Sequence, residues 1–282
     1  MTDAILQPIL ALLGYPVAAN PTQYMMEKAF AHHGLDCRFL TLEVAPEQLA
    51  DAVRGMRAMS FAGATCVDPH KQAVIPLLDR LTPSAELAGA VNCIFREGNQ
   101  LVGDNTEGRG MVQSLARHME LAGKRVVLLG AGQVARSIIA ELALAGVAEI
   151  VVVNRTPAKA ADLATLLTGK VQTSLSAVAW DGEYLVPGEA DLLIHATSIT
   201  ADDAEESLAV NLETLRSDAV VADVTLNPPA TQLLSEAVGR GCRTVDGLEM
   251  FIEQAVLGLR LWTGIDADRT VMREAVEEFF LL

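Results

Sequence analysis

Apolar positions along the chain recur with two alternating spacings, and the alternation predicts an α/β protein. PTQYMMEKAFAHHGL has helical spacing with a glycine stop at Gly34, and CRFLTLEV reads as a strand. APEQLADAVRGMRAM is a second helical stretch, with Pro46 near its first turn. FAGATCV predicts another strand and KQAVIPLLDRL another helical segment. AVNCIFREGNQLVGDN predicts a hairpin, two short strands around Glu97-Gly98-Asn99. A boundary falls near Asn105–Gly110, and a new unit opens at GKRVVLLGAGQVARSIIAELALAG. There a strand at Arg125–Leu129 runs into a glycine turn and then a helix ending at Gly146, and EIVVVN follows as the next strand. ADLLIHATS and AVVADVTL extend what should be a parallel sheet. The tail from Gly247 to Leu282 is helical in pattern, and its Met250, Phe251, Gln254, Ala255 and Leu257 predict a face packed onto the first domain. The expected domains are therefore 1–106, completed by helices in 248–282, and 107–247.

Composition narrows the function classes. The chain has 282 residues, 51% of them hydrophobic, so it can bury a sizeable core. Its formal charge of −15 argues against nucleic acid or an anionic membrane surface as partner, since both require clustered cations. An anionic small molecule would need a local cationic pocket. Cys37, Cys66, Cys93 and Cys242 form no C-x-x-C pair and no metal-ligand spacing, so no metal is expected and the thiols read as free and buried. The N-terminus MTDAILQPILALLG lacks a basic region and a small-residue cleavage pattern, and no apolar run has transmembrane length. A soluble, cytoplasmic protein is the expectation, as a monomer or homodimer.

GAGQVA, Gly130–Ala135, follows a strand and precedes a helix. In that G-x-G-x-x-A pattern Gly130 permits the tight turn and Gly132 lets a pyrophosphate approach the backbone at Gly130, Ala131, Gly132, Gln133 and Val134. Ala135 allows close helix–strand packing. The unit is about 30 residues long, as a nucleotide-binding half should be. An NAD site usually carries an acidic residue at the end of the second strand. Here that end reads Asn154, Arg155 and Thr156, with Lys159 beyond. Two cations and no carboxylate fit the 2′-phosphate of NADP, with a solvated turn as the alternative.

GATCVDPHKQAV raises a separate question, because Asp68, His70 and Lys71 interrupt two apolar runs. They read either as a solvated turn or as the site of a catalytic lysine where a strand meets a helix. His70 reads as a capping and packing residue.

Several segments together resemble the shikimate dehydrogenase family. They are GYPVAANPTQYMMEKAF, GATCVDPHK, GAVNCI, GDNTEGRG, GAGQVA, NRTPAKA, DVTLNPPATQLL and DGLEMFIEQAV with WTG, in order over nearly the whole chain. The resemblance implies an N-terminal α/β substrate domain and a Rossmann-type doubly wound NADP domain, with substrate bound in a cleft between them. It implies hydride transfer between NADP and a ring hydroxyl or ketone of shikimate or a related cyclic hydroxy acid. Lys71 falls on the family's catalytic lysine and Glu107 on its partner carboxylate; Asn92 and Gln254 fall on residues that bind substrate hydroxyls. Thr197, Ser198, Gly247 and Met250 fall on the cofactor side, while His195 reads as structural.

The substrate shell departs from the family pattern. Asn20 and Thr22 stand where the family usually has a Ser-x-Ser pair, and Thr65 where it has asparagine. Val67 replaces a threonine, Asp68 an apolar residue, Glu107 an aspartate and Leu226 a tyrosine. Each hydroxyl left without a partner costs about 1–3 kcal/mol, so altered specificity, toward quinate or another polyol, is one expectation. An NADPH-binding regulatory protein without turnover is the other.

Overall fold

The computed structural model describes residues 6–167, 169–197 and 208–282. Its N-terminal part opens with β1 Ile9–Gly14, whose Leu10 to Leu13 are fully buried. This continuous apolar run belongs to a strand covered on both faces, and it shows no alternation by which the sequence would reveal it. Then come α1 Thr22–His33, β2 Arg38–Glu43, α2 Leu49–Ala58, β3 Gly63–Cys66, α3 His70–Ala73, β4 Arg80–Leu81, α4 Pro83–Ala88, β5 Cys93–Glu97 and β6 Gln100–Asp104. Helix α1 ends at Gly34 as predicted, with its N–H bonded to the carbonyls of Ala31 and Phe30.

These strands form, among the described residues, a six-stranded sheet in the order β2-β1-β3-β5-β6-β4. The β1–β2, β1–β3 and β4–β6 pairs are parallel, while β5 and β6 form the predicted antiparallel hairpin. The helix expected over KQAVIPLLDRL is not there. Helix α3 is a single turn, followed by a 3-10 turn at Ile75–Leu77 and by β4. Pro76 offers no N–H and its ring clashes with the carbonyl four residues back, so the helix cannot continue. Leu78 is extended and Arg80–Leu81 pairs with β6 instead. Pro46 likewise starts a 3-10 turn, Pro46–Gln48, before α2 begins at Leu49.

The central part comprises α5 Glu107–Ala116, β7 Arg125–Leu129, α6 Gln133–Leu144, β8 Glu149–Asn154, α7 Pro157–Leu167, β9 Ser174–Ala179, β10 Tyr184–Leu185, β11 Leu192–His195, β12 Val210–Asn211, β13 Val220–Asp223, α8 Gln232–Gly239 and β14 Arg243–Val245. The closing helices are α9 Gly247–Thr263 and α10 Arg269–Phe280. Six of the strands form a wholly parallel sheet in the order β14-β13-β11-β7-β8-β9. From β7 the chain winds one way through β8 and β9, then returns to the other side of β7 as β11, β13 and β14. That is the doubly wound arrangement, and its switch point lies between β7 and β11.

Two compact units result: Met1–Thr106 with Gln254–Leu282, and Glu107–Glu253. The second runs past the expected close at 247, because Arg117 at the end of the α5 region ion-pairs with Glu249, at 3.1 Å, and with buried Glu253. In the first unit the closing helices pack on the sheet and on α1. Trp262 Nε1 donates to the Ile94 carbonyl at 2.8 Å, and Lys28 pairs with Glu278 at 3.1 Å. All four cysteines are free and buried, as expected.

The indole reaches Ile94 only because residue 63 is glycine. A Cβ there would lie 2.3 Å from Ile94 O and 2.3 Å from Trp262 Nε1. Gly63→Ala should therefore destabilise the protein by about 1–3 kcal/mol through displacement of Trp262. Urea unfolding followed by tryptophan fluorescence would read this, and an unchanged midpoint would show that the helix shifts freely.

Candidate active site

The turn after β7 is built from backbone. Gly130 N–H donates to Val153 O at 2.8 Å, and Ala196 N–H donates to Leu129 O at 2.8 Å, so the ends of β7, β8 and β11 are tied together. Gly130 has φ of +114°, and a Cβ on it would sit 2.4 Å from Ala196 O. Only glycine fits both conditions. Gly132 faces open space, with nothing within 4 Å of where its Cβ would be. It caps α6 without any side-chain hydrogen bond, and Gln133 and Val134, which open that helix, are not among the residues that line the adjoining cleft. Ala135 is fully buried against the sheet.

This turn forms the floor of a cleft of about 250 Å³. Gly130, Ala131, Gly132, Asn154, Arg155, Thr156, Lys159 and Thr197 all line it, so the structure brings the predicted phosphate turn and predicted cations to one place. Asn154 Nδ2 donates to Thr156 O at 2.9 Å, which fixes the loop carrying Arg155. Trp180 and Ala196 also line the cleft and escaped the sequence reading, although Trp180 is one of only two tryptophans in the chain. An open glycine turn at a helix N-terminus, flanked by two exposed cations, fits the pyrophosphate and 2′-phosphate of NADP. Gly247 opens α9 and presses on the Thr225 carbonyl, where a Cβ would come within 2.3 Å; Met250 is buried one turn on. Ser198 lies outside the described residues.

At the end of β11, His195 is buried, with Nδ1 3.0 Å from Asp223 Oδ1 and Nε2 2.5 Å from Thr197 Oγ1. Asp223 also accepts from Thr225 N and from Thr231 Oγ1, both at 2.9 Å. Burial pushes the Asp223 carboxyl up, but the hydrogen bond and charge of His195, aided by the Thr225 N–H, outweigh it and hold the group below its ordinary 3.8.

On the first unit, Lys71 lies in α3, only 6% exposed, with Nζ 3.7 Å from Asp68 Oδ2. It is not part of a solvated turn. Its carbonyl accepts from Val91 N at 2.8 Å, which sets Lys71 beside the segment carrying Asn92. Asn92 Oδ1 accepts from Thr106 N at 2.7 Å, and its Nδ2 donates to Thr106 Oγ1 at 2.9 Å and to Gln254 Oε1 at 3.1 Å. Asn92 and Gln254 are thus joined within this unit. Burial pushes the neighbouring Cys66 thiol up to about 12, against the pull of Lys71, which leaves it inert at neutral pH. His70 points away, its Nε2 donating to Val44 O at 2.7 Å. It packs, as read, but caps nothing, since α3 has no side-chain cap. Thr65 is half-buried on β3, Thr22 is buried in the first turn of α1, and Asn20 Oδ1 accepts from Thr22 N at 3.0 Å. Glu107 is buried as the first residue of α5, on the second unit.

A doubly wound sheet with an open glycine turn at its switch point, in a chain whose other α/β unit holds a buried lysine, defines a dinucleotide-dependent oxidoreductase. Comparison with known proteins gives the family. Models of the shikimate dehydrogenase substrate-binding domain, of shikimate/quinate 5-dehydrogenase and of the shikimate 5'-dehydrogenase C-terminal domain match residues 12–94, 112–250 and 247–277. The shikimate dehydrogenase (NADP(+)) of Alkaliphilus metalliredigens is 38% identical over 92% of each chain. The ligand-free 5-ketofructose reductase of Gluconobacter sp. strain CHM43 superposes with a TM-score of 0.94 at 42% identity, over 98% of this chain and 99% of that one. The shikimate 5-dehydrogenase of Thermus thermophilus, in complex with NADP(H) and shikimate, superposes with a TM-score of 0.82 at 31% identity, over 97% and 100%. The chain belongs to the shikimate dehydrogenase family.

Two expectations follow from this geometry. Replacing Arg155 by alanine removes a cation from the cleft, so the KM for NADP should rise at least tenfold while that for NAD moves little. Steady-state kinetics with both cofactors reads this, and an equal rise for both would place Arg155 elsewhere. A carboxyl whose folded pKa is depressed contributes stability above its unfolded pKa and loses it as pH falls through the folded value. The stability gap between wild type and Asp223→Asn should therefore hold from pH 7 to 5 and close below about pH 4. Denaturant titrations across that range test the sign.

Proposed function

We propose that this chain catalyses reversible hydride transfer between NADP(H) and a ring hydroxyl or ketone of shikimate or a related cyclic hydroxy acid, with Lys71 as proton carrier and Glu107 as its partner carboxylate. The chain is an NADP-dependent oxidoreductase of the shikimate dehydrogenase family. The observation that carries the site reading is the burial of Lys71 next to the Asn92–Gln254–Thr106 cluster. A lysine that covered only a surface turn would keep its ammonium in water.

When bound, NADPH supplies the hydride. In reduction, Lys71 Nζ gives a proton to the carbonyl oxygen as it gains electrons; in oxidation the neutral amine takes the hydroxyl proton. Gln254 Oε1 already accepts from Asn92, so its Nε2 is the end of the cluster that donates to a substrate hydroxyl. Asn20 is in a similar position, with Oδ1 held by Thr22 N–H and its amide N–H2 left to donate. Thr22 and Thr65 contribute hydroxyls on this reading. The enzyme is assigned to the cytoplasm and acts as a monomer or homodimer on this reading.

A second substrate reading, a neutral polyhydroxy ketone, is favoured by the 42% identity to a 5-ketofructose reductase. The departures at Asn20, Thr22 and Thr65 support it, because neutral amide and hydroxyl donors suit hydroxyls as well as a carboxylate.

Absorbance at the NADPH band with shikimate, quinate and 5-ketofructose separates the readings. A higher kcat/KM on shikimate or quinate selects the hydroxy acid, and a higher value on 5-ketofructose selects the ketone. On whichever substrate turns over, Lys71→Ala should lower kcat by about 10² to 10⁴ and leave NADPH affinity unchanged. Retained turnover in that variant would remove Lys71 from the mechanism, and NADPH binding without turnover on a wider alcohol panel would turn the reading to a regulatory protein.

A further inference from the structure

The Asp68 carboxylate is a charge that the fold does not need and the chemistry above does not use. The backbone of this residue is structural: its carbonyl accepts from Tyr15 N at 3.3 Å, which ties the loop after β1 to the start of α3. The side chain is not. It is 79% exposed, and α3 has no side-chain cap that it could supply. Its Oδ2 lies 3.7 Å from Lys71 Nζ, too far for a hydrogen bond but close enough for the two charges to act on each other. An ion pair whose carboxylate stands in water adds little to stability. Asp68 also stands where the family pattern has an apolar residue, so the charge is a feature of this chain.

Its place in the first unit puts that charge among the residues read as holding substrate. Asp68 lies between Thr65 on β3 and Lys71 on α3, and this stretch runs beside the segment of Asn92: Cys66 N donates to Asn92 O at 2.9 Å and Val91 N to Lys71 O at 2.8 Å. The loop that leads to Asn20 and Thr22 lies against the same stretch. Val17 and Val67 close on Gly14, where a Cβ would come within 2.5 and 2.2 Å of their methyl groups. Asn20, Thr22, Thr65, Asn92 and Gln254 are all neutral, and Lys71 is the cation of the set. A substrate oxygen that exchanges a proton with Lys71 Nζ comes within hydrogen-bond reach of it, so the rest of the substrate lies in the field of Asp68. A neutral polyol carries no net charge for that field to act on. A ring acid holds its carboxylate one ring-width from the reacting oxygen, within the Debye length of about 10 Å at 0.1 M salt, and there the like charges oppose each other.

We propose that Asp68 is a specificity-determining residue, whose charge weights the site against an anionic ring acid and toward a neutral polyhydroxy ketone. The inference rests on Lys71 as proton carrier and deepens that reading by naming the charge of the substrate the site favours. Any influence of Asp68 on Lys71 itself is common to all substrates reduced by the same step, and it cancels when two of them are compared as a ratio.

The test uses the full chain with NADPH and two ketones reduced in the same direction, the anion 3-dehydroshikimate and the neutral 5-ketofructose. Asp68→Asn keeps the shape of the side chain and removes its charge. It should raise the ratio of kcat/KM for the anion over that for the neutral ketone by about threefold to tenfold at low salt. Asp68→Glu, which restores the charge, should keep the wild-type ratio. The gap between wild type and Asp68→Asn should shrink at about 0.5 M salt, because the carboxylate is exposed and its field is screened. If one ketone is not turned over, its KI as a competitor of the other takes the place of kcat/KM, and the KI of the anion should fall by the same factor in Asp68→Asn. A ratio that Asp68→Asn leaves unchanged, or a change that salt does not touch, overturns the proposal. Failure of the underlying reading is distinct. Turnover retained in Lys71→Ala removes the proton carrier on which the inference rests, whereas turnover lost in Lys71→Ala with an unchanged ratio in Asp68→Asn overturns the role of Asp68 alone.

Discussion

The nucleotide-binding unit depends on one close approach, that of the Gly130 backbone to the Ala196 carbonyl. A Cβ at Gly130 would sit 2.4 Å from that oxygen, and its φ of +114° is closed to other residues. The approach follows from strand pairing: β11 lies in register with β7 so that His195 faces Leu129, and Ala196 N–H reaches back to Leu129 O. A bulkier residue at 130 would prise β11 from β7 at the point where the sheet reverses its winding. The turn that points α6 into the cleft would be lost with it, and so would the placement of Thr197. One backbone contact therefore sets both the floor and one wall of the cleft.

The cofactor side was legible in the sequence because its determinants are local. Gly130 to Ala135 and Asn154 to Lys159 belong to a single strand–helix–strand unit, where spacing along the chain translates directly into position. Strands β7, β8, β11 and β13 showed in the same way as runs of Val, Leu and Ile. What escaped was set by contacts distant in sequence. β1 is apolar throughout and has no period to detect, since its burial on both faces comes from neighbours. β4 is two residues long and exists only through its pairing with β6, beyond a proline that ends the helical pattern. Trp180 and Asp223 reach their places through the sheet order, which no local motif encodes.

His195 shows the same limit in a different form. Its burial could be read from the apolar run in which it lies, and so it looked structural. Whether its free edge meets a hydrophobic side chain or a hydroxyl on a cleft wall is decided by the turn at Ala196 and by Asp223, in register on the neighbouring strand. The residue type was legible, but its direction was not.

The proposed substrate side contrasts with the cofactor side in how it is assembled. Asn20, Thr22, Thr65, Lys71, Asn92 and Gln254 come from six separate positions, and the Asn92–Gln254 bond alone spans 162 residues. Every one of these contributes a side chain, whereas the glycine turn contributes backbone. A side chain at such a position can change without disturbing the strand that carries it, while a change at Gly130 breaks the sheet. The departures noted at Asn20, Thr22 and Thr65 fall at side-chain positions of this kind, and the turn keeps Gly130 and Gly132. That asymmetry lets a fold shared at a TM-score of 0.94 with a 5-ketofructose reductase and 0.82 with a shikimate 5-dehydrogenase carry one hydride chemistry to chemically different substrates. On the function proposed above, the departures at Asn20, Thr22 and Thr65 would change specificity on a shared mechanical frame, while Lys71, Asn92 and Gln254 would keep the proton and hydroxyl contacts.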